Sequence, residues 1–386
     1  MQENDYRIAF FEDPGRLDAA AWDRLVESDP AGNPFLHHAF LHALHASGSA
    51  TADTGWGANF LTLWDRERGA ERLAAAIPLY VKSHSYGEYV FDWSWAQAQE
   101  RLGLAYYPKW LVAVPFTPVV GTRILARDER AREAAIGALL DLVGRHRLSS
   151  LHVLFPPEVQ IEALARAGML VREGLQFYWR NQSYAHFDAF LDALTQPKRK
   201  KIRAERRKVA AAGVQLDRRV GTAITRDDWA FFFYCYENTY AEHGSSAYLN
   251  LDFFLRLARS MPEHLMLVRA SRAGQPIASA LGVYDRKRSV LYGRYWGAVE
   301  AVPCLHFECC YYQMIDFAIE QGLQVFEGGA QGAHKLARGL DPVPTYSAHW
   351  LREPAMFEAV RQFLRRERTA VSATIDELGE HRALRA

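Results

Sequence analysis

Two short segments of this sequence bring acids, bases and paired glycines close together. His306 and Glu308 open an apolar run with helical spacing. Glu327 ends a short strand-like run and is followed by Gly328-Gly329, then by His334, Lys335 and Arg338. Carboxylates and imidazoles exchange protons, a cation stabilises developing negative charge, and paired glycines let a backbone approach a ligand. In an open α/β sheet, ligands bind where strand ends feed such loops. Each residue also has a structural reading: Glu308 as a complement to a helix N-terminus, Glu327 as a loop anchor, Lys335 and Arg338 as solvated charges. The matching strand of the first half ends in Phe155-Pro156-Pro157, which supplies neither a base nor a free backbone donor at its prolines. The chemistry is therefore expected in the second half.

Other clusters compete for roles. Asp92, Trp93 and Trp95, with residues 115–118 (PFTP) and Arg123, suit a substrate-binding cleft wall for an apolar chain, and equally an interior between domains. Residues 198–208 hold eight basic side chains and one acid, too one-sided for a self-compensated face. Lys200, Lys201 and Arg203 are expected to hold donor phosphates, with tRNA or an anionic membrane surface as competing partners, or solvent alone. Tyr240, His243, Ser245, Ser246 and Tyr248 offer hydrogen bonds to an acceptor head group, against simple turn chemistry. His38, His42 and His45 share one helical face near His37. With no carboxylate or cysteine accompanying them, no metal site is expected.

These groups need elements to hold them. Residues 61–80 (LTLWDRERGAERLAAAIPLY) align without a gap on residues 265–284 (LMLVRASRAGQPIASALGVY), at a constant offset of 204. Apolar runs flanking a polar turn predict a hairpin in each copy, with Tyr80 equivalent to Tyr284. Each copy continues with a third strand (88–95; 289–297), a helix (128–146; 305–321) and a closing strand (151–155; 324–327). Residues 176–184 read as a strand, 197–213 as a helix between a proline start and a glycine stop, and 354–378 as an amphipathic helix. The expected class is α/β, with mixed sheets in two domains, 1–174 and 175–386.

Composition sets limits on partners and compartment. A chain of 386 residues suits two domains of about 150–200 residues each. A net charge of +1 gives no global attraction to polyanions, so any such binding needs a local patch. Cys235, Cys304, Cys309 and Cys310 have no C-x-x-C spacing, which points to a reduced compartment. The N-terminus lacks the pattern of a secretory signal, and no stretch of 18 residues is apolar throughout. The expectation is a cytoplasmic protein, with peripheral contact at the inner membrane through residues 198–208. Oligomeric state is not legible.

Several runs together carry a family resemblance. EGGAQGAHKLARGLDPVPTYSAHW (327–350) is preceded by LHFECCYYQMIDFAIEQGL (305–323), and NPFLHHAFLHAL (33–44), FDWSWA (91–96), YYPKWLVAVPFTPVVGTRIL (106–125), LHVLFP (151–156) and EHGSSAYLNLDFF (242–254) add to them. The chain thereby resembles the Fem-like, predicted N-acyltransferase family of the GNAT superfamily, often tied to peptidoglycan biosynthesis or recognition. The resemblance implies tandem GNAT-like domains, each a mixed, mainly antiparallel sheet flanked by helices. It departs from a simple acetyltransferase, because the R/Q-x-x-G-x-G/A run is absent and the equivalent loop reads GRYWGAVEAVPC (293–304).

The activity it implies is N-acyl transfer from a thioester cosubstrate such as acyl-CoA, long chains included, to the amine of a lipid-like acceptor. Ceramide-synthase-like activity is one candidate. An aminoacyl-tRNA-dependent transferase for a peptidoglycan precursor is the alternative, and a non-catalytic precursor-binding module is a third. No covalently bound cofactor is expected. In this scheme Glu327 or Glu308 accepts the amine proton, Lys335 stabilises the oxyanion and His334 serves the leaving group, with His306 and Arg338 binding substrate.

Overall fold

The computed structural model describes residues 6–67, 70–330, 332–380 and 383–384. The chain divides into two compact units, Met1–Gly174 with Pro344–Val371, and Leu175–Val343 with Ser372–Ala386. Residues 344–371, assigned from sequence to the second domain, therefore belong to the first. The physical cause is strand pairing, described next.

The first unit uses strands β1 (Arg7–Phe11), β2 (Trp56–Ala58), β3 (Phe60–Glu67), β4 (Ala70–Ile77), β5 (Leu79–Lys82), β6 (Lys109–Val112), β7 (Leu125–Ala126) and β8 (Ser150–Leu154). β1-β3-β4-β7 form one antiparallel sheet. In the other, β2 and β5 lead to a parallel pair, β6–β8, whose crossover passes through helix α4 (Glu129–Arg145). Helices α1 (Ala19–Ser28), α2 (His38–Ala46), α3 (Trp93–Arg101) and α5 (Glu158–Arg166) complete the unit's first segment.

The second unit begins within strand β9 (Leu170–Arg180). Helices α6 (Phe187–Ala193), α7 (Gln196–Ala211), α8 (Arg226–Glu242) and α9 (Leu251–Ser260) accompany strands β10 (Val214–Val220), β11 (Leu265–Arg272), β12 (Gln275–Asp285), β13 (Val290–Ala298) and β14 (Val325–Glu327). Their order is β10-β11-β12-β13-β14-β9, antiparallel except for β13–β14. The crossover between these two strands is α10 (Leu305–Phe307), a π-turn over Glu308–Tyr312, and α11 (Gln313–Glu320). The last strand, β15 (Asp341–Leu351), pairs with β8 through Ser347–Leu351, while β9 pairs with β14 through Tyr178–Arg180. Each half thus completes its sheet with the strand that follows the other half's closing strand. That exchange returns residues 344–351 and the start of helix α12 (Pro354–Glu380) to the first unit.

Both hairpins exist, but their registers correct the alignment. Leu61 pairs with Ile77, and Met266 with Gly282; Glu67 pairs with Ala70, and Arg272 with Gln275. Equivalent pairs are therefore offset by 205 residues, not 204. A gap-free match of alternating apolar runs cannot sense that slip, because both faces of these strands are largely buried. Pro78 separates β4 from β5, so Tyr80 lies in a short strand against Leu111, whereas Tyr284 lies in the unbroken β12 against Leu291.

Residues 88–95 are not a third strand. Gly87 and Tyr89 adopt left-handed backbone, and Asp92 starts helix α3. The third strand is β6, which begins at Lys109 after an insertion (83–108) that the second copy replaces with residues 286–289.

Candidate active site

The cavity of the second half arises from a flaw in strand pairing. β13 and β14 run parallel only through Val290–Tyr292 and Val325–Glu327. On the opposite edge of β13, Gly282 faces Gly293 while Leu281 faces Tyr295, so Arg294 is an extra residue in a bulge. A bulge bends and twists its strand, and the β13–β14 ladder ends beside this one. A cavity of about 130 Å³ lies there, lined by Gly293–Trp296 of β13, Phe326 and Gly328 beyond it, and His306, Cys310 and Tyr311 of the crossover helix. The third strand expected over 289–297 is present as Val290–Ala298, so of the run 293–304 only residues 299–304 lie in a loop.

Glu327 ends β14 between the lining residues Phe326 and Gly328, and is paired with Tyr178 of β9 and Tyr292 of β13. Burial pushes its carboxyl up to about 8, opposed by a hydrogen bond with Tyr178 and the nearby Arg294 guanidinium. A carboxyl so tuned exchanges protons near neutral pH. The paired glycines have a different role from the expected one. The Gly328 N–H donates to the Phe177 carbonyl at 2.8 Å, and the Gly329 carbonyl accepts from the Phe177 N–H at 3.1 Å. A Cβ on Gly328 would lie 2.3 Å from Leu340 Cδ2. These glycines extend the β9 ladder beneath Leu340, and the Gly328 backbone donor is spent.

The crossover helix sorts its side chains by face. His306, Cys310 and Tyr311 reach the cavity. Burial, then His334, Arg338 and Lys335, hold the His306 imidazole down at about 4, so it is neutral. Tyr311 Oη lies 3.2 Å from Nε2 of His334, an exposed residue on the 3₁₀ turn Ala333–Arg338. Lys335, on the same turn, is buried, and no described carboxylate lies within ion-pair distance of it. Desolvation lowers its ammonium to about 8 against the opposing influence of Cys310. Of the residues expected from sequence, His306 lines the cavity, whereas His334, Lys335 and Glu327 reach it through the lining residues Tyr311, Cys310 and Arg294 respectively.

Glu308 and Arg338 turn elsewhere. Glu308 accepts from Gln313 Nε2 at 2.8 Å and Arg206 Nε at 3.2 Å, facing α7. Arg338 is buried and gives Nη2 to both oxygens of Glu205, Nε to the Tyr312 hydroxyl and Nη1 to the His334 carbonyl. Its donors are consumed, so the substrate-binding role expected of it is corrected to that of a clamp. Glu205 was visible in the sequence as the lone acid of the basic run. Tyr178, Tyr292 and Arg294 carried no signal beyond strand alternation.

α7 is the basic helix anticipated over 197–213, and Gly213 follows it with a left-handed backbone. Arg199 and Arg203 face Asp188 and Asp192, and Arg206 stacks over Phe187. Lys200 and Lys201 are exposed and lack described ion-pair partners, and Lys201 is near enough to depress His334. The downstream loop does not line the cavity. His243 is exposed at the end of α8, Ser245 donates to the Tyr240 carbonyl, and Tyr248 packs on Tyr240.

In the first unit, the expected cleft residues scatter. Arg123 is buried and donates to the carbonyls of Val119, Gly121, Thr122 and Leu154, which makes it a loop staple rather than a substrate ligand. Trp95 is core, Trp93 is exposed, and Asp92 is buried beside Lys109. Lys109 Nζ donates to Asp92 at 2.5 Å, Glu88 at 2.8 Å and Ser85 at 2.7 Å. Tyr106 joins Asp92 to His152, whose Nδ1 lies 2.7 Å from Nδ1 of His349. The residues of this network lie far apart in sequence, so it was not foreseen. The α2 histidines do meet carboxylates, His37 facing Asp23 and Glu27, and His45 facing Asp13. No group of three potential metal ligands occurs among the described residues. No helix among them is long and apolar enough to cross a membrane.

A family model described as peptidoglycan biosynthesis/recognition, FemAB-like, matches residues 14–386. No curated protein sequence matches the chain. Among solved structures, it is similar to a C-terminal domain (DUF2156) assigned to a lysylphosphatidylglycerol synthetase of Agrobacterium fabrum. The TM-score is 0.52 at 11% identity, covering 89% of this chain and 94% of that one. L-PGS from Bacillus licheniformis is similar at TM-score 0.52 and 11% identity, over 92% of this chain and 98% of that one. A tandem GNAT protein from the clavulanic acid biosynthesis pathway aligns at TM-score 0.47 and 10% identity, over 90% and 99%. At such identities the likeness concerns the fold.

Proposed function

This chain belongs to the FemAB-like family, here with tandem GNAT-like halves, and on that premise we propose that it is an N-acyltransferase working in its second half. The donor is a thioester such as acyl-CoA, and the acceptor is the amine of an amphiphilic or lipid-like molecule, a ceramide-forming amine being one candidate. One observation carries this reading: a carboxyl pushed up to about 8, Glu327, stands in the chain between two residues that line an aromatic cavity, Phe326 and Gly328, and an ammonium lowered to about 8, Lys335, lies near Cys310 of the same lining.

In the proposed reaction Glu327, ionised, takes a proton from the acceptor ammonium. The freed amine attacks the thioester carbonyl, and the oxyanion develops towards Lys335. As the oxyanion returns to a carbonyl the C–S bond breaks, and the departing thiolate takes the Tyr311 hydroxyl proton while the Tyr311 oxygen takes the second proton of the attacking nitrogen, with His334 holding that hydroxyl in place. Glu308, already engaged by Arg206 and Gln313, has no part in this scheme.

A second reading, transfer from aminoacyl-tRNA, is favoured by the exposed Lys200 and Lys201, the latter near His334, a cationic approach suited to a long polyanion. The test offers purified protein acyl-CoAs and then charged tRNA with a panel of amines. Release of thiol with a new amide supports the first reading, and release of free tRNA supports the second. Product from neither donor across the panel would overturn both and favour a binding module.

A further inference from the structure

The insertion 83–108 has its polarity inverted. From residue 83 to residue 99 the acidic side chains are Glu88 and Asp92, both buried against Lys109, and the segment has no Lys or Arg. Outward from the same segment stand Tyr86 (57% exposed), Tyr89 (38%), Phe91 (59%) and Trp93 (37%), with Leu102 and Leu104 beyond them. These are six of the thirteen exposed large hydrophobic residues described, gathered within nineteen positions. The second copy has no counterpart, since residues 286–289 alone join its equivalent strands. The fold does not need this segment to close its sheet.

The aromatic crown is also held in place. Tyr86 packs on Trp93 with ring centroids 4.9 Å apart. The Tyr86 carbonyl faces buried Lys82 Nζ at 3.5 Å, and the Phe91 carbonyl accepts from Arg172 at 2.6 Å. Arg172 is itself fixed by both oxygens of Glu367 on α12. Charges are thus spent inward, and rings are presented outward on a pinned backbone.

We infer that residues 83–104 form a docking surface for the interfacial layer of a lipid bilayer. The most exposed ring, Phe91, is wholly apolar, and those around it are Tyr86, Tyr89 and Trp93, whose polar tips match the headgroup level. The wet, uncharged ester region of a bilayer accommodates both the apolar ring bodies and these polar tips. The charge character agrees, because the ring-bearing run 83–99 exposes no acidic, lysine or arginine side chain, and the exposed Glu100 and Arg101 that follow it offset each other. Attraction through it should depend on buried apolar area rather than on anionic lipid. This inference stands apart from the reaction assigned to the second half.

The test is flotation of the full chain with vesicles of phosphatidylcholine alone and with added phosphatidylglycerol, at about 0.1 M and about 0.5 M NaCl. The combined variant Tyr86→Ser, Phe91→Ser, Trp93→Ser is run beside it, with thermal melting to verify folding. Wild type is expected to bind neutral vesicles equally at both salt levels, and the variant about tenfold or more weakly with an unchanged melt. Equal binding by the variant overturns the proposal. So does wild-type binding confined to anionic vesicles and released by salt, which would place the contact on α7. Failure to bind vesicles, with self-association removed by the same substitutions, would overturn it in favour of a protein partner.

Discussion

Arg338 places one guanidinium nitrogen 2.9 and 2.8 Å from the two carboxylate oxygens of Glu205, tying the turn that carries His334 and Lys335 to α7. Both residues are buried, so removing one leaves the other uncompensated. Arg338→Ala and Glu205→Ala are each expected to cost about 3–5 kcal/mol in urea unfolding. The double change Glu205→Leu, Arg338→Met should cost less than either single. A Michaelis-constant effect of Arg338→Lys with undiminished stability would instead restore its substrate-binding role.

Glu327→Gln tests the proton acceptor. Turnover should fall about 100- to 10,000-fold. In wild type the rising limb of kcat/KM should lie near pH 8, where the buried carboxyl ionises. Stability gives an independent readout. A carboxyl raised from 4.5 unfolded to about 8 folded contributes fully below pH 4.5, and that contribution is lost as pH rises to 8. Wild-type melting should therefore decline across this window relative to the Gln variant. Normal turnover by the variant would remove Glu327 from the mechanism.

Gly328→Ala tests whether the glycine pair serves packing. Its Cβ would meet Leu340 Cδ2 at 2.3 Å, and overpacking of this kind costs about 1–3 kcal/mol. Leu340→Ala placed behind it should recover part of the loss relative to the sum of the two single changes. Equal loss with and without that second change would contradict the packing role.

His152 and His349 share a short Nδ1···Nδ1 contact that accommodates one proton. Burial, then Lys109, depress His152 to about 3, and burial with His152 holds His349 well below its usual value. The neutral imidazoles favour the fold above the unfolded value of 6.5, and stability falls as pH drops from there towards 3. At pH 5, His152 alone should cost about 2 kcal/mol relative to pH 7. Urea titrations of wild type and His152→Gln at the two pH values should show a smaller acid loss in the variant. Equal acid losses would place the sensitivity elsewhere.

Asp92→Asn, expected from sequence to act on substrate affinity, is now expected to act on stability. Lys109 would lose a counter-charge, and the amide nitrogen would be buried where Asp92 Oδ1 now meets no partner, while the amide oxygen keeps the contacts to Lys109 and Tyr106. A raised Michaelis constant with an unchanged melting temperature would return Asp92 to a binding role.

The sequence alone determined what local periodicity and composition can encode. Alternating apolar runs marked both hairpins, helical spacing marked α4 and the crossover helix, a proline start and a glycine stop marked α7, and Glu327 stood out as a carboxylate at a strand end. The basic run was legible as well, although the destination of its one acid was not. Tertiary structure decided everything that rests on pairing across long separations. It set the one-residue slip between the hairpins, the exchange of β9 and β15, and the closing of Arg338 on a residue 133 positions away. It also turned the charges of residues 88 and 92 inward and their neighbouring rings outward. The reason is physical: periodicity reports which face is apolar, whereas partner choice depends on register, twist and the desolvation of charges that meet only in the folded chain.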